Sequence, residues 1–165
     1  MLRPDQMLVI YDGECAFCSG VVHWLRRLDW RDRLVCLPLQ TRGLPEAAGT
    51  TVEHARRTAL VLTPGGRLWS AWGAVAASVD ALLPFGLPLL RAIYLIPGLH
   101  RLLDRVYYWV SENRSRLPHG APDLAPGEAP ALDPQVAEEL ARRRLASRMP
   151  SALPGPPLGG RATLH

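Results

Sequence analysis

The sequence predicts an α/β domain of β-α-β-α-β-β-α order followed by a C-terminal helical extension, and three observations carry that prediction. Short apolar runs at 8–11, 34–37, 59–62 and 67–70 are bounded by turn residues and read as strands. Stretches with helical apolar spacing separate the first three runs and follow the fourth. The Pro64-Gly65-Gly66 turn makes the last two strands a hairpin, whereas a helix joins the first two, so those run parallel with a right-handed crossover.

The elements follow in order. Leu8, Val9, Ile10 and Tyr11 form the first strand, closed by the turn pair Asp12-Gly13. Beyond Ser19, Val21, Val22, Leu25 and Leu28 recur at helical spacing, with His23, Arg26 and Arg27 largely on the other side. Leu34-Val35-Cys36-Leu37 is the second strand, stopped by Pro38. A polar connection follows, with one short helix expected over 46–57. Ala59-Leu60-Val61-Leu62 and Arg67-Leu68-Trp69-Ser70 supply the hairpin, and 74–83 the next helix. This order is that of a thioredoxin-like domain, assigned to residues 7–83; residues 1–6 add no recognisable feature, so Met7 is an alternative start.

Cys15-Ala16-Phe17-Cys18 lies between the first strand and the first helix. A thiolate there meets unpaired backbone N–H groups and the positive end of the helix dipole. Such placement lowers a cysteine pKa from about 8.5 to between roughly 3.5 and 7.5, and the thiolate is the attacking species. With two residues between the sulfurs, one attacks and the other resolves the mixed disulfide. Cys15, at the edge of the turn, is assigned attack, and Cys18, one turn deeper, resolution. Asp12 has two readings: proton acceptor for Cys18, or an Asx residue shaping the turn, the more economical role.

The segment Tyr11-Asp12-Gly13-Glu14-Cys15-Ala16-Phe17-Cys18, followed by an apolar helix, resembles the signature of the DCC family (DUF393) of thiol-disulfide oxidoreductases. The Gly65-Gly66 hairpin, the Ala-rich helix after it, Leu95-Ile96-Pro97 and the Tyr107 to Asn113-Arg114 segment extend the likeness to about 7–117. The resemblance implies a thioredoxin-like fold and redox residues at Cys15 and Cys18, with Asp12 and Gly13 completing the motif. Thioredoxins and glutaredoxins place a cis-proline before the third strand, where it exposes backbone to a peptide substrate. Arg57-Thr58 stands there in this chain, which argues against general protein-disulfide reduction. The Ala16-Phe17 pair also lacks the proline that stiffens the helix start in glutaredoxins.

Residues 84–117 read as a helical cap of two helices, 88–95 and 98–113. In the second, Leu99, Leu102, Leu103, Val106, Trp109 and Val110 form an apolar stripe. The stripe suits packing on the sheet or docking on a membrane protein or lipid interface; Gly86, Pro88 and Pro97-Gly98 interrupt any spanning stretch. From 118 to 165 the chain is rich in Pro, Ala and Gly and is expected to be largely disordered. Within it Asp133, Pro134 and the Glu138/Glu139 to Arg142/Arg143 spacing predict a short helix over 134–147, with too few apolar residues to dock strongly.

Composition narrows the function. The net charge of +4 is carried by 19 basic residues, all Arg, spread along the chain except for Arg142-Arg143-Arg144, and no base-reading motif accompanies them, so nucleic acid is not expected as a partner. The N-terminus lacks the apolar stretch of a signal peptide, which makes the cytoplasm the expected compartment, and there a CxxC is more often catalytic or metal-binding than structural. A Cys₃His zinc site from Cys15, Cys18, Cys36 and His23 is the metal alternative, opposed by the apolar setting of Cys36 and the absence of a second CxxC. Trp69 or Trp72 is placed to border the site. The sequence therefore points to a thiol-disulfide oxidoreductase with no organic cofactor and no metal. Its partners would be a disulfide-containing protein or small thiol and a cellular thiol reductant. The rivals are a partner-binding or redox-sensing module and a small zinc or iron–sulfur protein.

Overall fold

The computed structural model describes residues 2–83, 89–94, 96, 98–114, 116–117 and 120–148. Its elements are β1 (Met7–Tyr11), α1 (Ala16–Leu28), β2 (Leu34–Pro38), α2 (Leu44–Ala48), α3 (Val52–Arg57), β3 (Leu60–Leu62), β4 (Leu68–Ser70), α4 (Ala71–Leu82), α5 (Leu89–Tyr94), α6 (Leu99–Asn113) and α7 (Pro134–Arg148). The sheet runs β2-β1-β3-β4, with β1 parallel to β2 and antiparallel to β3, and β3 antiparallel to β4. The α/β, thioredoxin-like expectation is met, with the motif-bearing strand inside the sheet.

Strand alternation sorts two cores. Leu8 and Ile10 of β1 join Leu60 and Leu62 of β3 on one face, packed with Leu39, Leu44, Ala48 and Ala55. Val9 and Tyr11 join Val61 on the other, packed with Val22 and Leu25 of α1, Cys36 of β2, and Ala74 and Ala77 of α4. The one helix expected over 46–57 is two, because Gly49 at φ 84 closes α2 and the Thr51 hydroxyl then caps α3 by accepting the His54 N–H at 3.2 Å. Helix α4 begins at Ala71 rather than 74. Ala71 holds φ 52 and donates its N–H to the Thr58 hydroxyl at 2.8 Å, a buried bond that holds the strained residue.

Helices α5 and α6 follow the expected segments, and buried Asp80 of α4 accepts the Leu90 N–H at 2.8 Å. None of α6's residues is buried, although its apolar stripe is well formed. Among the described residues no helix is long and apolar enough to cross a membrane.

Two expectations about the ends of the chain are overturned. Leu2 and Gln6 are buried, with Gln6 donating to Asp32 O at 2.9 Å, so residues before Met7 belong to the fold. The tail is not disordered across 120–148, and α7 does not dock weakly: Val136 and Leu140 are buried in the first core beside Leu8 and Ile10. Arg143, 2% exposed, pairs with Glu139 at 3.0 Å and donates to Arg3 O at 2.9 Å. Gly66, at φ 77, lets the hairpin approach: a Cβ there would lie 2.5 Å from Arg143 O. Low apolar content misled because α7 needs only two apolar residues when a sheet face is open above it. The expectation for 149–165 lies outside the described residues. Leu140→Ala should lower unfolding free energy by about 2–5 kcal/mol, measured as a fall in the urea midpoint at constant m-value.

Candidate active site

The chain leaves β1 at Tyr11, turns through Asp12-Gly13-Glu14 and enters α1 at its N-cap, Cys15. Cys15 has extended backbone (φ −92°, ψ 111°), and its Sγ accepts the Cys18 N–H at 3.3 Å. The sulfur thus occupies the place that a Ser or Asp oxygen takes in an ordinary cap. Cys18, one turn along, is half-buried and faces inward. Burial pushes its thiol up to about 12, with the hydrogen bond that the thiol donates to Cys15 and the Cys15 charge acting the same way and Arg114 opposing.

The turn is braced from both sides. Gln40, in the loop after β2, donates to Asp12 Oδ1 at 2.8 Å and accepts the Gly13 N–H at 3.1 Å. Asp12 Oδ1 also accepts the Glu14 N–H at 3.2 Å, the bond of an Asx turn. Gly13 has no room for a side chain: a Cβ would sit 2.9 Å from Pro38 Cβ and 3.0 Å from Leu124 Cδ1. Its carbonyl accepts the Leu124 N–H at 3.0 Å.

That contact comes from the segment before α7, which straps the motif. Asp123 accepts from Tyr11 Oη at 2.6 Å, pairs with His23 Nε2 at 2.7 Å and gives its N–H to Ser19 Oγ at 3.1 Å. Burial works against the ionised carboxyl, but the Tyr11 and His23 bonds outweigh it and hold Asp123 below the usual carboxylate range. Gly127 N–H reaches Glu14 Oε1 at 2.9 Å.

The far side is closed by the end of α6. Arg114 Nη1 lies 3.7 Å from Cys18 Sγ, and its Nη2 lies 3.8 Å from Asp12 Oδ2. One cation therefore faces both the inner sulfur and the turn carboxylate. The structure brings together all four residues singled out in the sequence, Asp12, Gly13, Cys15 and Cys18. Sequence reasoning gave no role to Gln40, Arg114, Asp123 or Leu124, which lie in segments with no motif of their own. Arg114 entered only through a family likeness.

Cys36 is buried in β2, its thiol pushed up to about 11 by burial, and His23 is engaged by Asp123. Among the described residues no three of His, Cys, Asp and Glu converge as a metal-ligand set, so the Cys15, Cys18, Cys36 and His23 combination is not assembled. Trp72 lines the cavity beside Cys18, whereas Trp69 packs elsewhere in the second core under Arg67, 4.3 Å from its ring.

A CxxC at the start of the first helix of a β2-β1-β3-β4 sheet defines a thioredoxin-like dithiol domain. Residues 9–119 match the DCC1-like thiol-disulfide oxidoreductase family, and the chain belongs to that family. Comparison with curated proteins and with solved structures gave no match.

Cys18 and Cys36 both titrate above their ordinary 9.0 in the folded state, to about 12 and about 11. Above pH 9.0 the unfolded chain releases protons that the folded chain retains, so stability falls as pH rises toward these values. Urea midpoints should be lower at about pH 10 than at about pH 8, and Cys36→Ala should narrow that difference.

Proposed function

We propose that the protein is a dithiol/disulfide oxidoreductase in which Cys15 attacks a substrate disulfide and Cys18 resolves the mixed disulfide. The observation that carries this reading is the N-cap geometry: Cys15 Sγ sits on the helix N-terminus with Cys18 N–H at 3.3 Å and the second thiol one turn behind it. Family membership supports the same chemistry.

The order of steps follows from the electrostatics. While Cys15 is a free thiolate, burial, the hydrogen bond to Cys15 and the Cys15 charge all keep Cys18 protonated. Once Cys15 sulfur is tied up in a mixed disulfide, that hydrogen bond and charge are gone; burial and the Asp12 carboxylate still oppose ionisation of Cys18, and Arg114 at 3.7 Å favours the thiolate. Cys18 then attacks Cys15 Sγ, the substrate thiolate leaves and takes a proton, and the 15–18 disulfide forms. An external thiol system returns the pair to the dithiol. The cysteines carry both electrons. Asp12 is a positioning residue: one oxygen holds the turn, and the other, 3.8 Å from Arg114 Nη2, keeps the guanidinium beside the sulfur. An Asp12→Asn variant whose activity follows the same pH profile would remove the proton-acceptor role.

With a chromogenic aromatic disulfide, Cys18→Ser should accumulate a stable mixed disulfide on Cys15, detected by intact mass, and Cys15→Ser should form none. Arg114→Gln should slow resolution by roughly tenfold, equivalent to one pKa unit at Cys18, and should slow the first step by less in stopped-flow traces, because the Arg114 charge also acts on Cys15.

A further inference from the structure

A cavity of about 300 Å³ lies between α1, α4 and α6 and reaches the inner sulfur. Its walls are apolar, with Phe17 and Trp24 from α1, Trp72 and Val75 from α4, and Val106 and Val110 from α6. Cys18, Asp12 and Arg114 also line it, with the Arg114 guanidinium 3.7 Å from Cys18 Sγ and 3.8 Å from Asp12 Oδ2. A ligand matched to this space is an apolar body whose reactive group sits beside the inner sulfur, Cys18, which is the cysteine that lines the cavity.

The backbone before β3, which in thioredoxins is open to a peptide substrate, is already engaged. Ala59 N–H donates to Tyr107 Oη of α6 at 2.7 Å, Ser111 Oγ of α6 donates to Arg57 O at 3.4 Å, and Thr58 N–H is taken by His54 O at 3.2 Å. An extended chain would have to displace α6 to pair there. A small molecule entering the cavity leaves these backbone hydrogen bonds in place.

Building on the oxidoreductase reading, we infer that the substrate is a small disulfide with an apolar arm, held in the cavity between α1, α4 and α6 so that its sulfur lies beside Cys18 and within reach of Cys15. Cys15 thiolate attacks the sulfur of R–S–S–R held at the cavity, forming Cys15–S–S–R and expelling R–S⁻, which takes up the proton released by the Cys15 thiol. The bound R group stays in the cavity while Cys18 attacks Cys15 Sγ; the second R–S⁻ leaves and takes the Cys18 proton. Two thiols are oxidised to one disulfide, and one substrate disulfide is reduced to two thiols.

The test compares dipropyl, dibutyl and dihexyl disulfide with glutathione disulfide, whose arms are charged, on the full chain. The kcat/KM relative to glutathione disulfide should rise by roughly fourfold for each methylene buried, until the cavity is filled. Dihexyl sulfide, which cannot be reduced, should change tryptophan emission saturably, because Trp24 and Trp72 line the cavity. Val110→Phe, and independently Val106→Trp, should weaken that binding and flatten the chain-length dependence. Reduction of glutathione disulfide with a flat series, or a slope untouched by both variants, overturns the inference and leaves the oxidoreductase reading standing. Saturable sulfide binding with no disulfide reduced overturns the oxidoreductase reading and the substrate role together. Partition onto phosphatidylcholine vesicles without any response to dihexyl sulfide would make this a lipid-facing surface and overturn the inference as well.

Discussion

Everything at the site depends on where α1 begins. The bond from Cys18 N–H to Cys15 Sγ fixes the outer sulfur at the helix N-terminus, with the inner one a turn further along. That start is fixed by the turn before it, and the turn is fixed by packing: Gly13 fits between Pro38 and Leu124 only because it has no side chain, and Gln40 bonds both Asp12 and the Gly13 amide. The parallel pairing of β1 and β2 puts Tyr11 opposite Pro38, which brings Gln40 to the turn. Sheet register is thus converted directly into the placement of a thiol.

The inner sulfur is governed by a balance between burial and one cation. Moving Cys18 out of water opposes its ionisation, and Arg114 opposes that effect from the C-cap of α6. Because Arg114 caps α6, which carries the cavity-lining Val106 and Val110, the helix that positions the charge also shapes the space beside the thiol. Its hydroxyls on Tyr107 and Ser111 occupy the backbone at Arg57 and Ala59. The extension is therefore part of the site.

The region beyond α6 contributes in two separate ways. Asp123 and Leu124 strap the motif turn, while Val136 and Leu140 of α7 close the opposite face of the sheet. The Pro- and Gly-rich composition of the strap suits a segment whose bonds go to another element instead of to itself. Low hydrophobicity misreads such a segment as disordered, because its partners lie far off in sequence: Asp123 meets Tyr11 across 112 residues.

Most of the fold and the sulfur pair were legible from local pattern. Short apolar runs between turn residues marked β1 and β3, helical spacing marked α1 and α6, Pro64-Gly65-Gly66 marked the hairpin, and the position of Cys15 and Cys18 between strand and helix pointed to the chemistry. Local rules also explain the break between α2 and α3 once Gly49 is taken as a left-handed cap, although helical spacing alone joined the two. What the sequence by itself determined is what short-range backbone geometry and amphipathic period determine: the element order, the cap cysteine and the residue types of the motif. Only the tertiary structure decided that Gln40 clamps the turn, that Arg114 faces Cys18, that α7 seals a core and that a cavity opens beside the inner thiol. Each of those depends on contacts between distant segments, which are set by packing complementarity and leave no periodic trace along the chain.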